Sequence, residues 1–508
     1  RNIPYFDAEE VIEAYKLALQ KDAQNGNRNN TNALRRTLYG AIKRATKDFT
    51  TGNIYSAGTE IEISSAQQFI DVLDSAEWGN YKLVNDLDFS DIDITENAYI
   101  TNVFVGRING NGYKIKGLKA TLFNSITYAE IQDLTIEKPE YAANGTATIA
   151  NTSKNSILNN VLVNDSNISL PFVKTVNGTL QILGNTKINI ETIEISTIED
   201  LLEISNTENP LNKKRSYILK NNIDVGSITG VGAIITGTFE GTINGNGYTI
   251  SNLKVPLIST LTGSISNLNI ENVEIIKSGA NNLAPIAGES RGATISDIKI
   301  NNVTIEGRDN ISAVVGIAKS NTTLNRISAT NINIKALHYY AGGVIGRSYD
   351  SKLKDILVTG RLEVADTHNG GVIGALNRDT IENVYAAVDV VRVREGDSRN
   401  KNAGLYGAIE AGAISVKNVI VAGNMSDTLY KVTPATTEGE INNIASYLKN
   451  VYEYENSTGI NNSDVSDVIK KATSDNLKDM NFYITTMGWS EDIWDFSNVT
   501  SGDIPKIK

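Results

Sequence analysis

One pattern that occurs twice constrains this chain more than any other. Gly106–Lys119 reads GRINGNGYKIKGLK and Gly241–Lys254 reads GTINGNGYTISNLK, a shared G-x-I-N-G-N-G-Y-x-I-x-x-L-K. Each copy trails a matching lead-in, IEISSAQQFIDVL from Ile61 and IEISTIEDLLEI from Ile193. Two units of one plan therefore stand end to end. Such self-similarity dictates architecture, because each repeat buries its apolar face only against its neighbours. Gly110, Gly112, Gly245 and Gly247 mark the tight turn of the motif. GxINGNG lacks a GK[ST] ending and is not set between a strand and a helix, so a phosphate loop is rejected.

A shorter repeat follows the second copy. The rungs SISNLNIENVEI, TISDIKINNVTI, LNRISATNINI, LKDILVTGRLEV, IENVYAAVDVVRV and SVKNVIVAGNM place Leu268, Ile298, Ile327, Ile356, Val384 and Val419 in equivalent positions. Alternate apolar residues line one face of a strand. Between rungs runs a second signature ending at Gly288, Gly316, Gly346, Gly374 and Gly407, fullest as AGGVIG and GGVIG with Gly343, Gly346, Gly371 and Gly374. Asn and Gly at rung ends permit left-handed corners. The fold expected is mainly β: a right-handed parallel β-helix (a solenoid) in two consecutive units, with Ile, Val and Leu inside and Asn ladders at the turns.

The ends differ from the middle. Asp7 and Glu10 form a capping box ahead of Val11, Ile12, Tyr15, Ala18 and Leu19 at helical spacing. A second helix carries Leu34, Leu38, Ala41, Ile42 and Ala45 on one face and a basic remainder. A helical hairpin covering the open end of the solenoid is the default, and a docking helix for an acidic partner or membrane surface is the sharper alternative. At the other end, Trp489 and Trp494 sit among Phe482, Tyr483, Met487, Phe496 and Ile504. Short helices at 464–472 and 475–480, then aromatics sealing the last rung, make a C-terminal cap. The expected domains are residues 1–52 (helical hairpin), 53–191 (first unit), 192–450 (second unit) and 451–508 (cap).

Composition removes whole classes of function. The chain of 508 residues has a net charge of −11, which disfavours a nucleic-acid partner. It has no cysteine, which excludes disulfides, thiolate catalysis and Cys-type zinc sites. No apolar run reaches the roughly 18 residues of a membrane span. The start at Arg1, without a signal peptide, is read as a segment of something larger.

The G-G-[VL]-I-G repeats resemble GLUG-type motifs. The Gly-motif units, together with the ending from KNVYEYE to FYITTMGWSEDIWDFSNVTSGDIPKIK, are similar to the middle region of the streptococcal-type immunoglobulin A proteases and related surface zinc metallopeptidases. The resemblance runs from about Glu60 to Lys508. It implies a bacterial protein, secreted or attached to the cell surface and linked to further domains, in which such a helix lies upstream of a zinc domain bearing H-E-x-x-H. The only histidines are His338 and His368, and neither belongs to such a motif. What the resemblance implies is thus a non-catalytic segment that presents the protease or grips a host glycoprotein of immunoglobulin type. GLUG-type helices also occur in adhesins, so a free-standing adhesin or receptor-binding fibre for a cell-surface ligand is the alternative. A polysaccharide-degrading enzyme is the third reading.

No G-x-S-x-G is present, and two histidines are too few for a convincing serine triad. Asp389 with Glu363 or Asp366 is the pair a glycosidase reading would use. His338 and His368 lie one repeat apart, where stacked imidazoles could hold a metal but surface turns are the default. No cofactor is required. Asp86, Asp88, Asp91 and Asp93 form the one run with calcium-like spacing, but the sixth loop position is Asp91 rather than Gly, so turn-forming carboxylates are the default. Tyr339, Tyr340 and Tyr349, near the turns of one rung, are the candidate contact surface.

Overall fold

A computed structural model describes residues 60–75, 79–142, 144–393, 401–412, 414–426, 428–434, 446–460 and 468–508. The helical hairpin expected in residues 1–52 lies outside them. Two compact units divide between Thr192 and Ile193. Both are mainly β, and nearly every strand pairing among the described residues is parallel, consistent with a β-helix-like fold.

In the first unit the lead-in forms the strand Ile61–Ile63 and the helix Ala66–Ser75. Phe69 on that helix packs edge-on to Phe89 and tilted against Phe123, so the helix is bound by its aromatic face. The Gly motif supplies the strands Gly106–Asn109 and Lys114–Lys116, joined by a tight turn. Asn111 and Gly112 are left-handed in that turn (φ 52° and 82°). Gly110 lies so close to Leu134 Cα in the next rung that a Cβ there would collide with the backbone.

The second copy repeats this geometry. Asn246 and Gly247 have φ of 52° and 80°, and Gly245 approaches Leu268 Cα in the same way. The capping box of its lead-in helix, Ile198–Glu203, is closed by Thr197 and Asp200. The same residues thus produce the same turn, against the same close neighbour, in both units.

The shorter repeats of the second unit build three parallel sheets. The longest includes Ser264–Ile276, Thr294–Gly307, Thr323–Ala336, Lys352–Val364, Thr380–Arg392 and Ser415–Val421. Leu268, Ile298, Ile327, Ile356, Val384 and Val419 stand in one register across it, as their spacing predicted. All six are fully buried. A second sheet carries the glycine signature, with Val315, Ile345, Ile373 and Tyr406 in register. Gly346 follows there, and a Cβ on it would lie 2.7 Å from the Gly316 carbonyl of the preceding rung. Glycine in this column is a packing requirement. The third sheet is short: Ile311–Ser312, Ala341–Gly342, Asn369–Gly370 and Asn402–Ala403.

Corners are held by left-handed residues stacked rung on rung. At one, Asn383, Asn418 and Asn450 pass amide hydrogen bonds of 2.9–3.1 Å up from Asp355. These bonds satisfy buried polar groups that a turn would otherwise strand.

The C-terminal segment differs from expectation. Within 464–472, the described residues Ile469–Ala472 form a strand paired with Leu448–Tyr454, not a helix. Alternation wins there because the edge of a long sheet offers the backbone ready partners. The helix Ser474–Lys478 does form, capped by Thr473. The aromatics then turn back along the flank of the long sheet. Trp489 and Trp494 stack at 4.3 Å and, with Tyr483, pack onto Leu357, Tyr385, Ile420 and Tyr452 of four successive rungs. The Trp494 indole N–H donates to Asp355 at 3.2 Å.

Candidate functional site

The corner that opens the short third sheet departs from the Asn-ladder pattern. Its successive left-handed residues are Asn282, Asn310, Tyr340 and His368, with φ of 58°, 55°, 64° and 65°. The first two behave as a ladder, the Asn310 amide donating to Asn282 Oδ1 at 2.9 Å. An aromatic and an imidazole then replace the amides. A bulky residue in this conformation is strained, because its Cβ crowds the neighbouring carbonyl.

The candidate tyrosines gather at this corner. The Arg347 guanidinium lies 4.3 Å from the Tyr340 ring centroid and 5.1 Å from that of Tyr349. It makes a two-pronged ion pair with Glu410, at 3.0 Å from Nε and 2.8 Å from the terminal nitrogen. Its register neighbour in the next rung is Ala375, small enough to let the side chain reach across to Glu410. Charge pairing in this fork geometry gives orientation as well as energy. Burial, together with the Glu410 charge and against the Arg347 charge, raises the phenols of Tyr340 and Tyr349 above their ordinary range.

Tyr339 stands between the two histidines. Its ring centroid is 3.8 Å from His338 and 5.9 Å from His368. His338 Nδ1 lies 2.7 Å from Asp309 Oδ1, which also accepts the Tyr339 amide at 2.9 Å. His338 Nε2 stands 4.0 Å from Asp366, beyond hydrogen-bond reach. Nδ1 of His368 is buried without a partner. Burial, reinforced by the Lys401 charge, holds that imidazole below its ordinary value of 6.5. The rings of this corner are half-buried, unlike those of the C-terminal flank.

Other candidates are dispersed. Asp86 accepts from Lys116 Nζ and the Lys114 amide, and the Ser90 side chain and amide act on Asp88, which holds both carboxyls below the usual range. Asp91 and Asp93 are exposed. Among the described residues no group of three or more His, Asp or Glu side chains is placed to hold a metal ion. Glu363 is tied to Arg361 and Asp389 to the amides of Asn424, so the carboxylates of the glycosidase reading each serve a neighbour. Among the described residues no helix is long and apolar enough to cross a membrane. Arg347 and Glu410 escaped sequence reasoning. They lie 63 residues apart, and only the small Ala375 in a matching position hints at their meeting.

Comparison with known proteins adds similarities over parts of the chain. Residues 59–165 and 207–301 match the M26 IgA1-specific metallo-endopeptidase N-terminal region. These two segments are of the M26 N-terminal-region type. Each contains one copy of the Gly motif. The immunoglobulin A1 protease of Streptococcus sanguinis is 29% identical over 175 residues, covering 31% of this chain and 9% of that protein. Halomucin of Haloquadratum walsbyi is 33% identical over 144 residues, covering 21% of this chain and 2% of that protein. The chain thus spans under a tenth of either relative's length. A solved structure of a candidate immunoglobulin A1 protease from Bacteroides ovatus aligns with a TM-score of 0.44 at 14% identity, covering 63% of this chain and 92% of that one. The tyrosine–histidine corner lies C-terminal to both M26-type segments, so the match does not assign it a role.

Proposed function

We propose that this chain is a non-catalytic, right-handed parallel β-helix region that engages a glycoprotein substrate for a bacterial surface zinc metallopeptidase. The observation that carries this reading is the pair of M26 N-terminal-region segments, each built around one copy of the Gly motif. Two facts support it. The only histidines in the sequence are His338 and His368, neither in H-E-x-x-H, so the chain brings no zinc-hydrolase motif of its own. The parallel, in-register pairing of successive strands in the second unit supports a solenoid reading, a form whose long side surfaces suit extended binding. The corner of Tyr339, Tyr340 and Tyr349 is the contact surface in this reading, because half-buried aromatics beside an ordered arginine are typical anchors of recognition.

Surface plasmon resonance with the immobilised chain tests it. Immunoglobulin A1 and other host glycoproteins should bind with Kd at or below about 10 µM, the range of a weak specific contact. Absence of binding to every one of them would overturn the reading and favour a spacer or a fibre with another ligand.

A further inference from the structure

Resting on the substrate-engaging reading above, we infer that the Tyr340–His368 corner is a saccharide-binding shelf, taking the neutral glycan rather than the polypeptide of a glycoprotein. The first ground is the broken ladder. Asn282 and Asn310 fill this corner with a hydrogen-bonded amide pair, and Asn tolerates the left-handed backbone best. Tyr340 then takes the same conformation with a bulky side chain, and its strain is retained where an amide would relieve it. Strain kept against an available remedy points to a use for the side chain.

The second ground is what the corner offers a ligand. Two of the groups that could drive ionic recognition are already engaged, Arg347 with Glu410 and Asp309 with His338, while Lys401 lies close enough for its charge to act on His368. What remains is half-buried aromatic faces interleaved with polar atoms, among them the Asp366 carboxylate, whose nearer oxygen stands 4.0 Å from His338 Nε2, beyond hydrogen-bond reach. A pyranose has that same alternation, with apolar C–H faces and equatorial hydroxyls. An apolar peptide would want a contiguous hydrophobic patch, yet among the described residues of the second unit the large exposed hydrophobic residues are scattered, with Val393, stacked beyond Ala365, the one bordering this corner. An anionic ligand would meet Asp366 and Asp309 on a chain of net charge −11.

The test uses the whole chain. An array of neutral, sialylated and sulfated oligosaccharides is probed with the unaltered protein and with Tyr339→Ala and Tyr340→Asn. Immunoglobulin A1 is measured before and after enzymatic deglycosylation, and Tm is recorded for each variant. Neutral oligosaccharides should bind, and each variant should lose at least about tenfold in affinity with its Tm kept within a few degrees. If intact and deglycosylated protein bind alike and the variants weaken both, the shelf reads polypeptide and the saccharide inference falls while the substrate-engaging reading stands. If the variants leave glycoprotein binding unchanged, the shelf is not the contact. If neither glycans nor glycoproteins bind, both readings fall together.

Discussion

Two aromatic clusters in the second unit, both containing tyrosine, end in opposite states. On the C-terminal flank, Trp489, Trp494 and Tyr483 are almost fully buried, stacked on one another and on four rungs of the long sheet. At the corner, Tyr339, Tyr340, Tyr349, His338 and His368 are only half-buried, and two of them sit on a strained backbone. The flank aromatics act as a second hydrophobic core on the outside of the sheet. The corner aromatics are held by ion pairs and ring contacts, with little burial to stabilise them. Burial and backbone conformation, rather than the mere presence of aromatic rings, separate the two clusters.

Substitutions can break this contrast. The largest effect belongs to the flank: Trp494→Ala should cost about 3–5 kcal/mol, because it removes a buried ring and leaves Asp355 without its indole donor. Urea unfolding giving less than about 1 kcal/mol would show that the flank does not belong to the core. Ile298→Ala in the central column sets the scale for ordinary core, at about 2–5 kcal/mol. A thermal melt with a loss below about 0.5 kcal/mol would place Ile298 outside the stack.

At the corner the expected costs fall. Arg347→Ala strands Glu410 in a half-buried setting, and about 1–2 kcal/mol is expected. Equal losses from Arg347→Ala and Trp494→Ala would erase the distinction between the clusters. Titration sharpens it further. The His368 imidazole, faced by Lys401, Glu410, Arg347 and Asp366, has a folded pKa below 6.5. Its neutral form therefore contributes stability that is present above that pH and is lost as pH falls through the folded value. Tm should decline on acidification below about pH 6.5, and His368→Asn should flatten that slope. An unchanged slope would mean that another group titrates. The smallest effect on stability is that of Tyr339→Ala, within about 0.5 kcal/mol, since its ring is half-exposed and packs only at the surface, on the two imidazoles and the Tyr340 ring. A large loss in a thermal melt would assign Tyr339 to the core rather than to contact.

Much of this was legible before any coordinates. The column from Leu268 to Val419 followed from apolar alternation and a repeat near 29 residues, because parallel in-register stacking is the one arrangement that buries every such residue against its own equivalent. The Gly-motif turn was legible for the same reason, since Asn and Gly accept left-handed backbone wherever they occur. The gathering of Tyr339, Tyr340 and Tyr349 was partly legible, through their closeness to one turn. The strand at Ile469–Ala472 was not. There short-range spacing suggested a helix, and the free edge of a long sheet decided otherwise.

By itself, then, the sequence determined the local and periodic features: rungs, corners, glycine columns and the absence of a zinc-hydrolase motif. Only the tertiary structure decided which distant residues meet. The Trp494–Asp355 bond joins residues 139 apart, and the Arg347–Glu410 pair spans 63. The physical reason is that periodicity specifies each rung against the next. Where a non-repeating segment turns back, or which side chain reaches past a small neighbour, depends on space left over once the rungs have stacked.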